Sequence, residues 1–343
     1  MKSLVKLNLK RTFIGLATVA CVLAAQPQGA VACSIPVFRY ALERWKPSNY
    51  EALVFHRGPL DAEQERAVAA LVADANGSLN LTVTQIDLGS ATPDPTSQKL
   101  WEQQKNATLP WLLIQAPDTA TEAAPLYAGR LDSAATKAIA DSPARRTITQ
   151  ALLKGDSAVW VLLESGDRDR DAATAKLLSE RLKVLEGELQ LSEIDEDEQR
   201  APDEPGLLSK LPLKLRFSVV RVSLNDPAEA RFVDLLRHTE PELKKVAPGQ
   251  PRDPVVFPIF GQGRVLCGLE GKNITNETIG DCATFLIGDC SCRVKELNPG
   301  IDLLIAGDWA SILDGEAPAE PKLEIPDPVI GSGKPKRATV PVD

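Results

Sequence analysis

Apolar residues recur along this chain at two spacings. Ala52-Leu53-Val54-Phe55 is a continuous run of the kind that fills a strand buried on both faces, while Ala62 to Ala75 carries alanine, leucine and valine at helical intervals. Leu79 to Leu88 alternates as a strand and Ser97 to Lys105 reads as a short helix. Leu109-Pro110 then leads into the strand Trp111 to Gln115. Leu126 to Leu131 is a further strand, and Thr147 to Lys154 is a helix closed by Gly155. The predicted order is strand, helix, strand, helix, strand, strand, helix.

That order runs a second time. Ala158 to Leu163 is a strand, Asp171 to Leu189 a helix, Leu215 to Val222 an alternating strand and Pro227 to Lys244 a helix. Pro254 opens the strand Val255 to Phe260, Gly261-Gln262-Gly263 turns, Arg264 to Leu269 returns, and Ile274 to Ile287 is the closing helix. Leu152 to Ser157 (Leu-Leu-Lys-Gly-Asp-Ser) is echoed by Leu286 to Cys290 (Leu-Ile-Gly-Asp-Cys), so the two units also end alike. The pattern divides the chain into an N-terminal helical segment at 33–49, with Pro36 to Trp45 as the helix, a first unit at 50–155 and a second at 156–313. The second unit carries an acidic, proline-rich insert at 192–210, read as an exposed loop, and one more strand at 300–309. Residues 314–343 hold proline, glycine and charge with no apolar period, the pattern of a disordered tail.

The strand and helix order, with a proline opening the third strand, resembles the thioredoxin fold. The likeness implies an α/β architecture of two tandem thioredoxin-like domains, each three-layered around a central mixed sheet. In that family the peptide bond before this proline is cis and its backbone faces the active site, which makes Pro110 and Pro254 the corresponding positions. The family's redox centre is a Cys-x-x-Cys at the turn after the first strand, where the helix N-terminus stabilises a thiolate. Here those turns read His56-Arg57-Gly58-Pro59-Leu60-Asp61 and Glu164-Ser165-Gly166-Asp167-Arg168-Asp169, without a cysteine.

Other candidates in and around these turns are weak. His56 with Arg57 offers a base or an anion contact but has no nucleophile beside it, and His238 sits on a predicted helix. Asp167, Asp169 and Asp171 mimic the start of a calcium loop, yet Ala172 and Leu178 stand where that loop needs glycine and glutamate. They fit the first turn of a helix, whose dipole they complement. Gly261-x-Gly263 lies between two strands, so it reads as a hairpin turn and not as a nucleotide loop.

The N-terminus changes the picture of where the protein acts. Lys2, Lys6, Lys10 and Arg11 precede the apolar run Phe13 to Ala25, and Ala30-Val31-Ala32 follows, which together describe a secretory signal peptide at 1–32. Cleavage after Ala32 takes the net charge from −8 to −12 and makes Cys33 the first residue. Periplasmic or extracellular location is the expectation, with a membrane anchor only if Cys33 is lipidated. The acidic balance argues against a nucleic-acid partner held by phosphate contacts. Five Asn-x-Ser/Thr sequons (Asn76, Asn80, Asn106, Asn273, Asn276) matter only in a glycosylating pathway.

With two histidines and one methionine, the chain lacks the ligands of a three-histidine zinc enzyme, a di-iron bundle or a methionine-rich copper carrier. The informative residues are its six cysteines, of which Cys21 leaves with the leader. Cys267 and Cys282 read as structural, through buried packing or a mutual disulfide. Cys290-Ser291-Cys292 leaves three readings open: a structural bridge to Cys33, redox exchange, or metal binding by thiolates. The segments Cys33 to Trp45 and Cys290 to Leu304 resemble the opening and closing signatures of uncharacterised exported bacterial proteins, which implies that the two ends share one structural unit. The expectation is a binding or scaffold protein of the cell envelope with a protein or peptide partner, no cofactor and no confident catalytic or metal residues. Its alternative is a thiol oxidoreductase or metal handler using Cys290, Cys292 and Cys33.

Overall fold

The described chain begins with a short strand, β1 (Cys33–Pro36), that runs directly into α1 (Val37–Arg44). The computed structural model describes residues 33–90, 94–117, 125–192, 206–240, 243, 252–290 and 293–313. The leader at 1–32, the tail at 314–343, Cys292 and residues 193–205 of the insert lie outside the described residues.

The first sheet forms around β2 (Tyr50–His56). Asp61 then starts α2 (Ala62–Gly77) with a capping box, accepting from the Glu63 and Gln64 backbone N–H groups while the Gln64 side chain accepts from its own. This helix supplies the crossover that parallel pairing requires, and β3 (Leu81–Asp87) lies parallel to β2 from Tyr50↔Leu81 to His56↔Asp87. After α3 (Pro95–Glu102), capped by Asp94, come β4 (Trp111–Gln115), antiparallel to β2, and β5 (Tyr127–Arg130), antiparallel to β4. The strand order is β3-β2-β4-β5, and α4 (Ser133–Ala140) follows.

The second sheet repeats this plan. α5 (Pro143–Leu153) leads to β6 (Ala158–Leu163), α6 (Arg168–Glu188) crosses over, and β7 (Phe217–Val222) lies parallel to β6. α7 (Ala230–Thr239) precedes β8 (Val255–Phe260), antiparallel to β6, and β9 (Arg264–Val265) is antiparallel to β8. The order β7-β6-β8-β9 has the same sequence of directions as the first sheet. β10 (Leu269–Glu270) also pairs with β8. After α8 (Asn276–Ile287) come β11 (Asp289–Cys290), which pairs with β1, and β12 (Ile301–Asp302), which extends the sheet beyond β9.

Side-chain alternation along β6 sets the layers. Val159, Val161 and Leu163 pack with Ile148 and Leu152 of α5 and Phe232 and Leu236 of α7. Ala158, Trp160 and Leu162 pack with Leu178 and Leu182 of α6, Ile279 and Ala283 of α8, and Phe38 and Ala41 of α1. In the first sheet Ala52 and Val54 meet Leu71 of α2 and Ile139 of α4, while Leu53 and Phe55 turn toward Leu100 of α3. Ala52, Val54, Val159 and Val161 belong to one continuous core, so α2, α4, α5 and α7 form a layer shared by both sheets. Each fully buried aliphatic side chain there contributes about 1.5–3 kcal/mol.

The sequence did not predict α4, and α5 packs on β6 and β7. Four sequence expectations are corrected. The helix expected over Pro227 to Lys244 is a 3-10 turn followed by α7, which ends at Thr239. The last strand is Ile301–Asp302 only: beyond it the Leu303 N–H still donates to the Gly263 carbonyl, while the Leu303 carbonyl and the Ile305 N–H bond to Asn80. The end of the insert is not a solvated loop: Ser209 is buried, and residues 206–211 are bonded to α1. Finally, Leu109–Pro110 is cis, but the Asp253–Pro254 bond is not, since there the ladder continues through Glu270↔Val255 and the Pro254 carbonyl accepts from Gly271.

Candidate functional site

The two strand-to-helix turns are occupied by their own hydrogen bonds. At the first, His56 ends β2 half-buried, and its Nδ1 lies 2.8 Å from the Gly58 carbonyl, to which it donates as N–H. Asp87, at the end of β3, accepts from the Gly89 and Gly58 backbone N–H groups at 2.8 and 3.2 Å, and these bonds hold its carboxyl below the ordinary value. Phe55 sits opposite Trp111 and beside Trp101, at 5.6 Å between ring centres, next to the cis Leu109–Pro110 bond. His56 and Arg57 therefore have an acid, Asp87, nearby.

At the second turn Asp167 caps α6, accepting from Asp169 and Arg170 backbone N–H groups, and Arg170 joins Asp167 at 3.0 Å to Asp253 at 2.7 Å. Asp171 is buried and accepts from the Ser165 backbone N–H, the Ser165 hydroxyl and the Gly166 N–H. Both its oxygens are thus satisfied by protein donors, which agrees with a helix-start role and leaves no calcium ligand set. Gly261 and Gly263 turn with φ of +59° and +96°, and a Cβ on Gly263 would meet Ile305 at 2.4 Å. His238 lies on α7.

The cysteines gather in the second unit. Cys282 on α8 and Cys267, in the loop between β9 and β10, have sulfurs 3.6 Å apart. Cys290 is 1 % exposed, and its Cα is the partner of Cys33 in the β1–β11 pair. Cys292 lies outside the described residues, and no cluster of three or more metal-ligating side chains occurs among the described residues. No helix among them is long and apolar enough to cross a membrane.

What sequence reasoning missed is a pair of buried ionic clamps. In the first, Asp302 on β12 binds Arg264 at 2.9 Å and Lys295 at 3.1 Å and accepts from the Ser48 N–H at 2.9 Å. Tyr50 donates to the Asp302 carbonyl, and Arg264 lies over the Trp45 ring. Burial pushes the Asp302 carboxyl up, but Lys295 and Arg264 outweigh it and hold the carboxyl below the ordinary value. In the second, Glu43 of α1 is fully buried between Arg39 at 2.7 Å and Arg44 at 2.9 Å and accepts from the Leu208 and Ser209 N–H groups. The arginines in turn donate to the Ser209, Leu211 and Gly206 carbonyls.

Asn80 is a third tie. Its amide donates to the Ser48 carbonyl at 2.8 Å and the Leu303 carbonyl at 3.0 Å, and its oxygen accepts from the Ile305 N–H. That sequon is spent inside the fold, whereas Asn76, Asn106, Asn273 and Asn276 are exposed. Asn80→Ala is expected to lower the unfolding free energy by about 1–3 kcal/mol for the backbone groups left unbonded, measured by urea titration. An unchanged midpoint would show that water replaces the amide.

Open cavities among the described residues include one of about 500 Å³ between α2 and α4, lined by Arg66, Asp74, Lys137 and Asp141, and one of about 920 Å³ where Asn49, Gly77, Gln262 and Trp309 meet. Compared with known proteins, the chain matches no family model and no curated sequence.

Proposed function

We propose that this is an exported protein of two thioredoxin-like domains without the family's redox centre, serving as a binding or scaffold module of the cell envelope for a protein or peptide partner. The repeated strand order with parallel first and second strands and an antiparallel hairpin supports the fold assignment. The leader-like segment at 1–32 supports export. One observation carries the absence of thioredoxin chemistry. Both turns lack cysteine, and their polar groups are bonded to one another through His56, Asp87, Asp167, Arg170 and Asp253.

The alternative, thiol exchange or metal capture at Cys290-x-Cys292, has the burial of Cys290 against it, since a thiolate must be reached to react. The test is insulin reduction with dithiothreitol as reductant. The expected rate is that of dithiothreitol alone, and turnover comparable to a thioredoxin would overturn the proposal. The mass of the exported N-terminus then distinguishes a soluble chain from one lipidated at Cys33.

A further inference from the structure

The vacant turns do not exhaust the thiol chemistry of the molecule. Cys267 and Cys282 lie elsewhere in the second unit, on a loop and a helix held independently of each other. The loop is fixed by the Leu266 N–H donating to the Pro258 carbonyl at 2.9 Å and the Gly268 N–H donating to Glu240 at 2.6 Å. The helix is fixed by Ile279, Ala283 and Leu286, all buried in the core beneath it. Across that boundary the two sulfurs stand 3.6 Å apart, so closing a bond of about 2.05 Å requires only a small approach of the side chains.

The two thiols are also unequal in access. Cys267 is half-buried in the loop, and Cys282 is 9 % exposed on the helix. We propose that Cys267 and Cys282 are an attacking and a resolving thiol that exchange with low-molecular-weight disulfides of the glutathione class. Their hydrogen bond supports this assignment of roles: it lowers the pKa of Cys267, against burial and the charge of Glu240, and raises that of Cys282.

In the first step the Cys267 thiolate attacks one sulfur of the small disulfide, forming a mixed disulfide and expelling one thiolate, which takes up the proton Cys267 gave to solvent. In the second, Cys282 loses its proton, attacks the Cys267 sulfur and expels the second thiolate, which is protonated in turn. Two protein thiols are oxidised to one disulfide, and one small disulfide is reduced to two thiols. With Cys267 half-buried and Cys282 buried, a folded protein disulfide such as those of insulin is not their expected substrate, and the insulin assay is expected to stay at the rate of dithiothreitol alone.

The test uses the full chain, reduced and then equilibrated with glutathione and its disulfide. Alkylation in denaturant is followed by cleavage with trypsin and an aspartate-directed protease. These proteases separate Cys267 (Val265 to Lys272) from Cys282 (Asp281 to Gly288) and from Cys290 and Cys292 (Asp289 to Arg293). The expected result is a Cys267–Cys282 cross-link, with alkylation of both falling together by about ten-fold under oxidising ratios. Cys282→Ser should accumulate glutathione on Cys267, and Cys267→Ser should acquire none on Cys282. Full alkylation of both thiols at every ratio would overturn the proposal without any variant. So would bridges from either residue to Cys33, Cys290 or Cys292, or glutathione on Cys282 in the Cys267→Ser protein.

Discussion

Asp302→Ala lowers the unfolding free energy by about 3–5 kcal/mol, because it leaves Arg264 and Lys295 charged and buried without their shared anion. Urea unfolding at pH 7 measures the loss, and a change below about 1 kcal/mol would mean that water enters and compensates the two cations. A second signature comes from pH. The folded-state pKa of Asp302 is depressed, so its contribution is fully present above the unfolded value of about 3.9 and is lost as pH falls through the lower folded value. The wild-type protein should therefore lose stability below pH ~4 more steeply than Asp302→Asn, in which this group no longer titrates.

Glu43→Ala is expected to cost a similar ~3–5 kcal/mol, since Arg39 and Arg44 would remain buried beside two unbonded N–H groups of residues 208 and 209. Glu43→Gln does not rescue it. Each carboxylate oxygen faces a backbone N–H and an arginine, so either orientation of the amide points a donor at donors. The loss should also be visible locally. With residues 206–211 released from α1, tryptic cleavage after Lys210 should accelerate in native buffer. Unchanged stability and cleavage together would show that the clamp is replaceable.

The strands were legible because burial on both faces leaves continuous apolar runs: Trp111–Gln115, Ala158–Leu163 and Val255–Phe260 were read with the bounds they have. α4 was missed because Ser-Ala-Ala-Thr-Lys-Ala-Ile-Ala has too few large apolar residues to show a period. Its signal lay at its ends, in the Asp132 cap and in the Ser142-Pro143 start of the next helix. The buried clamps were illegible for a different reason. A charged residue inside a periodic segment is read as facing water, and Glu43, Arg39 and Asp302 also bond to groups 165 to 254 residues away, which local pattern does not reveal. Pro254 shows the limit of analogy within the chain, since it matches Pro110 in place but β10 extends the ladder beside it. The expectation that Cys33 to Trp45 and Cys290 to Leu304 share one structural unit meets the contact the two segments make through β1, β11, Trp45 and Lys295.

The position of α1 sets the timetable by which the protein can be completed. This helix follows β1 at the start of the described chain and leaves the ribosome early, yet it rests on β8, α8 and β11, all from the last third. Until those segments arrive, Arg39, Glu43 and Arg44 have no low-dielectric home, and Phe38 and Trp45 have no core to enter. Such long closures must precede the contacts that reward them. The opening segment thus waits for most of its partners until synthesis is almost finished.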